Sequence, residues 1–172
     1  MKRLFLWVFI AAFLFQGSAA AIENGSPLRL HIVADSDDKE AQDLKLKIRD
    51  AILLETQTML ADAKKSEDAY EIIARQIRSL RLCARKTALN EGYTGAIRVK
   101  LVRESFPARR YGDVLLPEGA YRALRIEIGE AEGHNWWCVL FPSLCLYGED
   151  GGGEIRFYSS IRTWLKRFFE GE

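Results

Sequence analysis

The folded part of the chain begins with alternating apolar and polar positions. Residues 27–34 place apolar side chains at every second position, with Arg29 and His31 between them. Because successive side chains of a strand point to opposite faces, this spacing predicts a β-strand with one apolar face. Acidic residues end the strand, and Asp37 with Glu40 three positions later predicts a capping box at the start of a helix.

Two long segments with helical periodicity follow. The first is predicted to run to about Ala61, with one stripe formed by Leu44, Ile48, Ala51, Ile52 and Glu55. The second is predicted from Ser66, as its N-cap, to about Leu89, with an inner stripe at Ala69, Ile73, Ile77, Leu80, Ala84 and Ala88. Acids crowd its start and bases its end, which complements the helix dipole, and Asn90–Gly92 supplies a C-cap signal.

The second half of the chain predicts β-structure. Residues 96–102 alternate apolar and basic side chains, and the turn at 116–119 is expected to join residues 109–115 and 120–128 in a hairpin. A further turn at 129–135 leads into a last strand. The order of elements predicts an α+β single domain, in which an N-terminal strand and two helices pack on a mainly antiparallel sheet.

The last strand contains two adjacent tryptophans, Trp136 and Trp137, which must point to opposite faces. Two interpretations stay open. The strand is either central and buried on both faces, or it lies at a sheet edge and offers one indole to a partner, since tryptophan is enriched at binding hot spots.

The chain has 172 residues, enough for one domain with its own core. Its start is basic (Lys2 and Arg3), continues with twelve apolar residues at 4–15, and ends in small residues up to Ala21. This pattern predicts a secretory signal peptide over residues 1–21, with an uncleaved N-terminal anchor as the alternative. The predicted domain covers residues 22–148, and residues 149–172 are expected to form a Gly-rich linker and an aromatic-basic C-terminal segment.

Charge narrows the choice of partners. Without Lys2 and Arg3 the chain has 23 basic and 24 acidic residues, a net charge of −1, so the overall charge predicts neither a nucleic-acid partner nor an anionic lipid surface. Residues 154–172 interleave aromatic and basic side chains. That segment either makes a peripheral membrane contact or docks back on the domain.

Motifs for a catalytic or metal site are lacking: the sequence has no G-x-S-x-G, H-E-x-x-H or C-x-x-C pattern and no glycine-rich phosphate loop. Asp35, Asp37 and Asp38 could hold calcium, but the full loop pattern is missing and helix capping explains them. His134 and Cys138 would stand roughly 13 Å apart in a strand, too far for proton transfer. No metal and no cofactor are therefore predicted.

The three cysteines suit an exported protein. Cys138 and Cys145 flank a Pro-Ser corner that could close a small disulfide loop, although sequence alone does not fix the pairing. Cys83 falls within a predicted helix and is interpreted as a small buried hydrophobic residue.

Three blocks give the chain a resemblance to a known family: LRLHIVADSDDKEAQDLKLKIRDAIL at 28–53, FPARRYGDVLLPEGAYRALRIEIGEAEG at 106–133 and HNWWCVLFPSLC at 134–145. The chain resembles the stage II sporulation protein R family. The resemblance implies a non-enzymatic signal, secreted from the forespore into the space between the forespore and mother-cell membranes. There it would activate a membrane-embedded sporulation aspartic-type protease, which processes pro-sigma-E.

The family defines no binding site, so contact candidates come from the residues themselves: Arg109, Arg110, Tyr111, Trp136 and Trp137. Two other functions stay open. A secreted hydrolase would require two of Asp35, Asp37, His134 and Cys138 to converge in one pocket. An extracytoplasmic binding or inhibitor module would also use exposed aromatic side chains.

Overall fold

A computed structural model of the protein describes residues 26–111 and 114–142. Two helices and six strands are formed in that part of the chain. They are β1 (Leu28–Val33), α1 (Lys39–Met59), α2 (Ser66–Asn90), β2 (Ile97–Phe106), β3 (Arg109–Tyr111), β4 (Val114–Leu116), β5 (Gly119–Ile128) and β6 (Asn135–Phe141). Neither described helix has the length and apolar character needed to cross a lipid bilayer.

Four strands form the main sheet in the order β2-β5-β1-β6. β1 runs parallel to β5 and antiparallel to β6, and β2 runs antiparallel to β5. Within residues 26–111 and 114–142, the short strands β3 and β4 pair only with each other, as a separate antiparallel ribbon. The predicted α+β domain with a mainly antiparallel sheet is confirmed.

Both helices cover one face of this sheet. Leu30 and Ile32 of β1 join Ile48 and Ile52 of α1 and Leu80 of α2 in the main hydrophobic core. The predicted inner stripe of α2 is buried, with Ile77 only partly so. β1 is central, and all six of its residues are buried, including Arg29 and His31, which alternate with its apolar residues.

The predicted hairpin between residues 109–115 and 120–128 is wrong. β2 continues to Phe106, four residues beyond its predicted end, and pairs with β5 from Ile97↔Ile128 to Phe106↔Gly119. β5 therefore has β2 on one side and β1 on the other, and no edge remains for residues 109–116. These residues pair with themselves instead, as β3 and β4.

The predicted capping box is also wrong. The N-cap of α1 is Asp38, and no side-chain hydrogen bond caps this helix. Asp37 instead accepts a hydrogen bond from the backbone N–H of His134, at 2.6 Å. At α2 the N-cap is Lys65 rather than Ser66, whereas the C-terminal signal is confirmed: Gly92 follows the C-cap with φ +77°.

The loop after β1 is tied to the turn between β5 and β6. Asp35 accepts hydrogen bonds from the backbone N–H of Glu130 and from the Tyr93 hydroxyl, each at 2.9 Å. Burial, followed by this hydrogen bond to Asp35, raises the pKa of Tyr93 to about 12. Gly129 lies directly beneath the carboxylate, since a Cβ there would stand 2.1 Å from Asp35 Oδ1. The turn is thus built for glycine at this position.

We expect Gly129→Ala to destabilise the fold by more than Gly92→Ala. Both residues have positive φ, +56° and +77°, so each substitution introduces backbone strain of about 1 kcal/mol. Only Gly129→Ala also displaces Asp35, because a Cβ at Gly92 meets open space. Urea unfolding should show a further loss of roughly 1–2 kcal/mol for Gly129→Ala, as for the loss of a hydrogen bond to a charged group. Equal losses would contradict this account of the turn.

Candidate functional site

The face of the sheet opposite the helices is the candidate site, and we call it the open face. Strand register places the following side chains on it: Arg29, His31 and Val33; Arg98, Lys100, Val102, Glu104 and Phe106; Tyr121, Ala123, Arg125 and Glu127; Asn135, Trp137 and Val139. Aromatic side chains gather at one end of this face, and charged side chains at the other. The two ends are described in turn.

Arg29 is fully buried at the aromatic end of the open face. Its guanidinium carbon lies 4.4 Å from the ring centre of Phe106 and 5.2 Å from that of Tyr121. It donates one hydrogen bond to the Cys138 carbonyl, at 3.1 Å, and one to the Tyr111 hydroxyl, at 3.2 Å. Burial lowers the pKa of Arg29, although the neighbouring tyrosines partly offset this effect. The β3–β4 ribbon is thereby fastened to the sheet through Tyr111.

His31, 6% exposed, links three strands in the middle of the open face. Its Nδ1 lies 2.8 Å from Glu104 Oε1 on β2, and its Nε2 lies 2.7 Å from Asn135 Oδ1 on β6. The Trp137 ring packs 5.5 Å from the His31 ring, centre to centre. One buried side chain therefore connects the central strand to both edge strands of the sheet.

Glu127 organises the charged end. It contacts Arg98 at 3.1 Å and both Lys100 and Arg125 at 2.8 Å. Burial opposes ionisation of Glu127, but hydrogen bonds from Lys100, Arg98 and Arg125 outweigh it and lower the pKa of this carboxyl to about 2. Arg125 also reaches Glu104 at 2.6 Å, which joins this cluster to His31.

The tryptophans lie on opposite faces, as predicted. Trp136 packs against the main core on the helix side, where the Arg49 guanidinium stacks 4.4 Å from its ring centre. Trp137 lies on the open face beside Phe106 and Tyr121. Of the two open interpretations, the edge position is confirmed, because β6 ends the described sheet. Both indoles are half-buried, so neither projects freely.

The three residues of β3, Arg109, Arg110 and Tyr111, differ in their exposure to solvent. Arg110 is exposed, whereas Tyr111 turns inward to Arg29 and Arg109 is half-buried. Of the five contact candidates, Arg110 thus lies on the surface, and Trp137 is partly accessible on the open face. Contact of these residues with a partner stays a prediction.

The aspartates after β1 do not gather around a cation. No group of three or more potential metal-ligating side chains occurs in residues 26–111 and 114–142. Asp35 accepts a hydrogen bond from the neighbouring turn, and Asp38 accepts one from the Ser36 hydroxyl at 2.9 Å. Asp37 contacts the His134 ring. Asp37 and His134 are the one pair of the four hydrolase candidates that meets. Their side chains are 58% and 76% exposed, outside any enclosed pocket, and Cys138 is buried in the main core.

The cysteines take different environments. Cys83 is a free thiol, half-buried on α2, and donates to the Ala51 carbonyl at 3.8 Å. Burial raises its pKa, which favours the unreactive thiol over the thiolate. Cys145 lies outside the described residues, so its pairing with Cys138 stays a prediction. The signal peptide at 1–21 and the segment at 149–172 also lie outside them.

Comparison with known proteins decides the family. The family model described as stage II sporulation protein R matches residues 24–150, most of the chain. This chain belongs to the stage II sporulation protein R family. It is similar to the "Stage II sporulation protein R" of Bacillus subtilis (strain 168), with 37% identity over 129 residues. The aligned part covers 75% of this chain and 58% of that relative, less than two thirds of the relative's length. No solved structure matches the chain.

Membership of the stage II sporulation protein R family supports a function in sporulation. The matched residues include every described strand and helix, so the whole open face lies within the family region. Sequence reasoning missed the burial of its two polar residues on β1, Arg29 and His31. The signal was present: both stand on the first strand beside apolar neighbours, and a polar residue on a central strand requires a partner.

Trypsin susceptibility should reveal the link between Arg29 and the ribbon in this family member. We expect Arg29→Ala to lower the free energy of unfolding by about 3 kcal/mol, because it leaves a large cavity among the aromatic rings. It should also speed tryptic cleavage after Arg109 and Arg110, since the ribbon loses its attachment through Tyr111. Arg78→Ala, at an exposed arginine of α2, is the matched control. Unchanged cleavage in Arg29→Ala would contradict the role of Arg29 as the fastening.

Acid should weaken the Glu127 cluster. The folded-state pKa, about 2, lies below the ordinary value of 4.5, so the cluster stabilises the fold fully above pH 4.5 and progressively less as the pH falls toward 2. At pH 7, Glu127→Gln should lower the free energy of unfolding by about 2 kcal/mol, allowing for its half-exposed cationic partners. The difference from wild type should vanish near pH 2. Glu118→Gln, at an exposed turn position, is the matched control and should leave the free energy of unfolding at pH 7 unchanged.

Proposed function

We propose that this protein is an exported sporulation signal that activates a membrane-embedded aspartic-type protease, which then processes pro-sigma-E. The observation that carries the proposal is the match to the stage II sporulation protein R family over residues 24–150. In this proposal residues 1–21 direct export from the forespore, and the folded domain acts in the space between the two membranes.

The protein acts in this proposal by binding and not by catalysis. The open face supports that reading, because its buried polar groups serve to hold strands together: His31 bonds Glu104 and Asn135, and Arg29 bonds Tyr111. Such a network keeps the surface rigid, and a rigid surface loses little conformational freedom on binding. The proposed contacts with the protease are Arg110 at the ribbon and Trp137 at the edge strand. Arg109 and Tyr111 belong to the same ribbon, which Tyr111 attaches to Arg29, whereas Trp136 faces the helix side of the sheet.

One observation favours a second function, a secreted hydrolase. Asp37 and His134 meet through their side chains, as an acid–base pair would. Their exposure argues for a loop-fastening contact, because catalytic pairs work in sites that exclude water. Asp37 also accepts a hydrogen bond from the backbone N–H of His134, as expected for a contact that fastens two loops together.

The proposal is tested in a sporulating host that lacks its own version of this signal, by immunoblotting pro-sigma-E and its processed form. We expect the intact precursor to restore processing, and a chain lacking residues 2–21 to fail although it accumulates to the same level. Arg110→Glu should reduce processing, whereas Glu118→Lys, an exposed charge reversal in the loop before β5, should not.

The hydrolase alternative predicts a different pattern in the same host. His134→Gln and Asp37→Asn would abolish the activity of a hydrolase but should leave signalling by an activator largely intact. Loss of processing in both variants, with unchanged thermal unfolding, would favour the hydrolase. Absence of processing with a stable, exported wild-type chain in a host that carries its own protease would count against the activator.

A further inference from the structure

The outer surface of α2, on the side away from the sheet, combines basic and apolar side chains. Four large hydrophobic side chains are exposed in the described residues, and three of them lie on the two helices: Leu54, Leu82 and Leu89 are 69%, 62% and 50% exposed. Leu82 and Leu89 stand seven positions apart on α2, so they project from the same side, roughly 10 Å apart along the axis. A single exposed leucine is common on protein surfaces. Whether this pair indicates a binding surface therefore depends on the side chains around it.

Those surroundings are cationic. Between Glu71 and Glu91 the sequence contains five basic residues and no acid: Arg75, Arg78, Arg81, Arg85 and Lys86. This excess is local, because the chain without its first 21 residues has a net charge of −1. The outer surface of α1 beside it carries both Lys47 and Asp50, so the positive charge is concentrated on α2.

The five cations do not have equal roles in the fold. Arg81 and Arg85 donate to the carbonyls of Val99 and Gly95 and so help to fasten α2 to the sheet edge. Arg75 pairs with Glu71 at 2.9 Å. Arg78 and Lys86 make no ion pair within the part of the chain that the structure describes, and both are exposed. They flank Leu82 at four positions before and four after, on the same side of the helix.

We infer that this outer surface of α2, formed by Arg78, Leu82, Lys86 and Leu89, binds an anionic membrane surface. Leucines between cations on one side of a helix suit the lipid interface, where apolar side chains enter the acyl boundary and bases meet phosphate headgroups. An acidic protein helix would need a continuous apolar groove. The leucines here are separated by charged side chains, which favours lipid. The inference does not depend on the proposed protease partner.

Vesicle co-sedimentation of the chain comprising residues 22–172 tests the inference. We expect binding to vesicles of phosphatidylglycerol and phosphatidylcholine, none to phosphatidylcholine alone, and a loss of binding as salt rises. The double variant Leu82→Ser with Lys86→Glu should weaken binding at least tenfold. Its matched control is Leu115→Ser with Arg110→Glu, which also removes one exposed leucine and reverses one positive charge, but on the β3–β4 ribbon at the open face; it should bind within twofold of wild type.

Each outcome decides the matter. Equal loss in both double variants would make the effect one of total charge and overturn the inference. Unchanged binding in the α2 variant would assign lipid contact elsewhere, for example to the C-terminal segment, and would overturn it too. If the α2 variant binds vesicles normally but loses pro-sigma-E processing, the surface contacts a protein instead of lipid. Failure of processing by the wild-type chain concerns the proposed function alone, because the vesicle assay contains no protease.

Discussion

Burial of β1 on both faces is the constraint on which the rest of this structure depends. Its helix-side residues enter the main core, as an alternating strand requires. The opposite face brings Arg29 and His31 into the interior, where an unbonded polar group would cost several kcal/mol. Each neighbouring element supplies a partner: β2 gives Glu104, β6 gives Asn135 and the ribbon gives Tyr111. The sheet order and the position of the ribbon bring hydrogen-bond partners to both side chains, and Phe106 and Tyr121 pack on the Arg29 guanidinium as well.

The same requirement separates the structural polar residues from those free to act on a partner. Arg29, His31 and Glu127 hold strands together, and a change in any of them alters the shape of the open face. Arg110 contributes charge without being buried, and Trp137 completes the aromatic packing while remaining partly accessible. Under the proposed function, and among these residues, a substitution that abolishes signalling therefore has a clear interpretation at Arg110. At the buried positions, loss of signalling and loss of fold coincide.

Local patterns predicted the elements, and long-range pairing decided what those patterns could not. Helical periodicity identified both helices because apolar residues recur on the side that packs against the sheet. In α2, all residues of the predicted inner stripe except Ile77 are buried. The hairpin failed because residues 109–115 have strand character, but β5 already had two partners. Likewise, Asp37 has a side chain that could cap a helix, but it accepts its hydrogen bond from the backbone of His134, 97 positions away in the sequence. Alternation in β1 correctly separated its faces, but the burial of the second face depends on side chains of the ribbon and of neighbouring strands, which contact Arg29 and His31.

The two proposed surfaces are compatible because they occupy opposite sides of a two-layer domain. The outer surface of α2 points away from the sheet, whereas Arg110 and Trp137 belong to the ribbon and the open face. A helix layer packed on a sheet is about 20 Å thick, given a spacing of roughly 10 Å between layers and side chains on each outer surface. A domain lying on a membrane through α2 would present its open face at about that height. A membrane-embedded partner could meet it there only through a portion that projects from the bilayer. If both proposals hold, the contact therefore lies on a part of the proposed protease outside the bilayer.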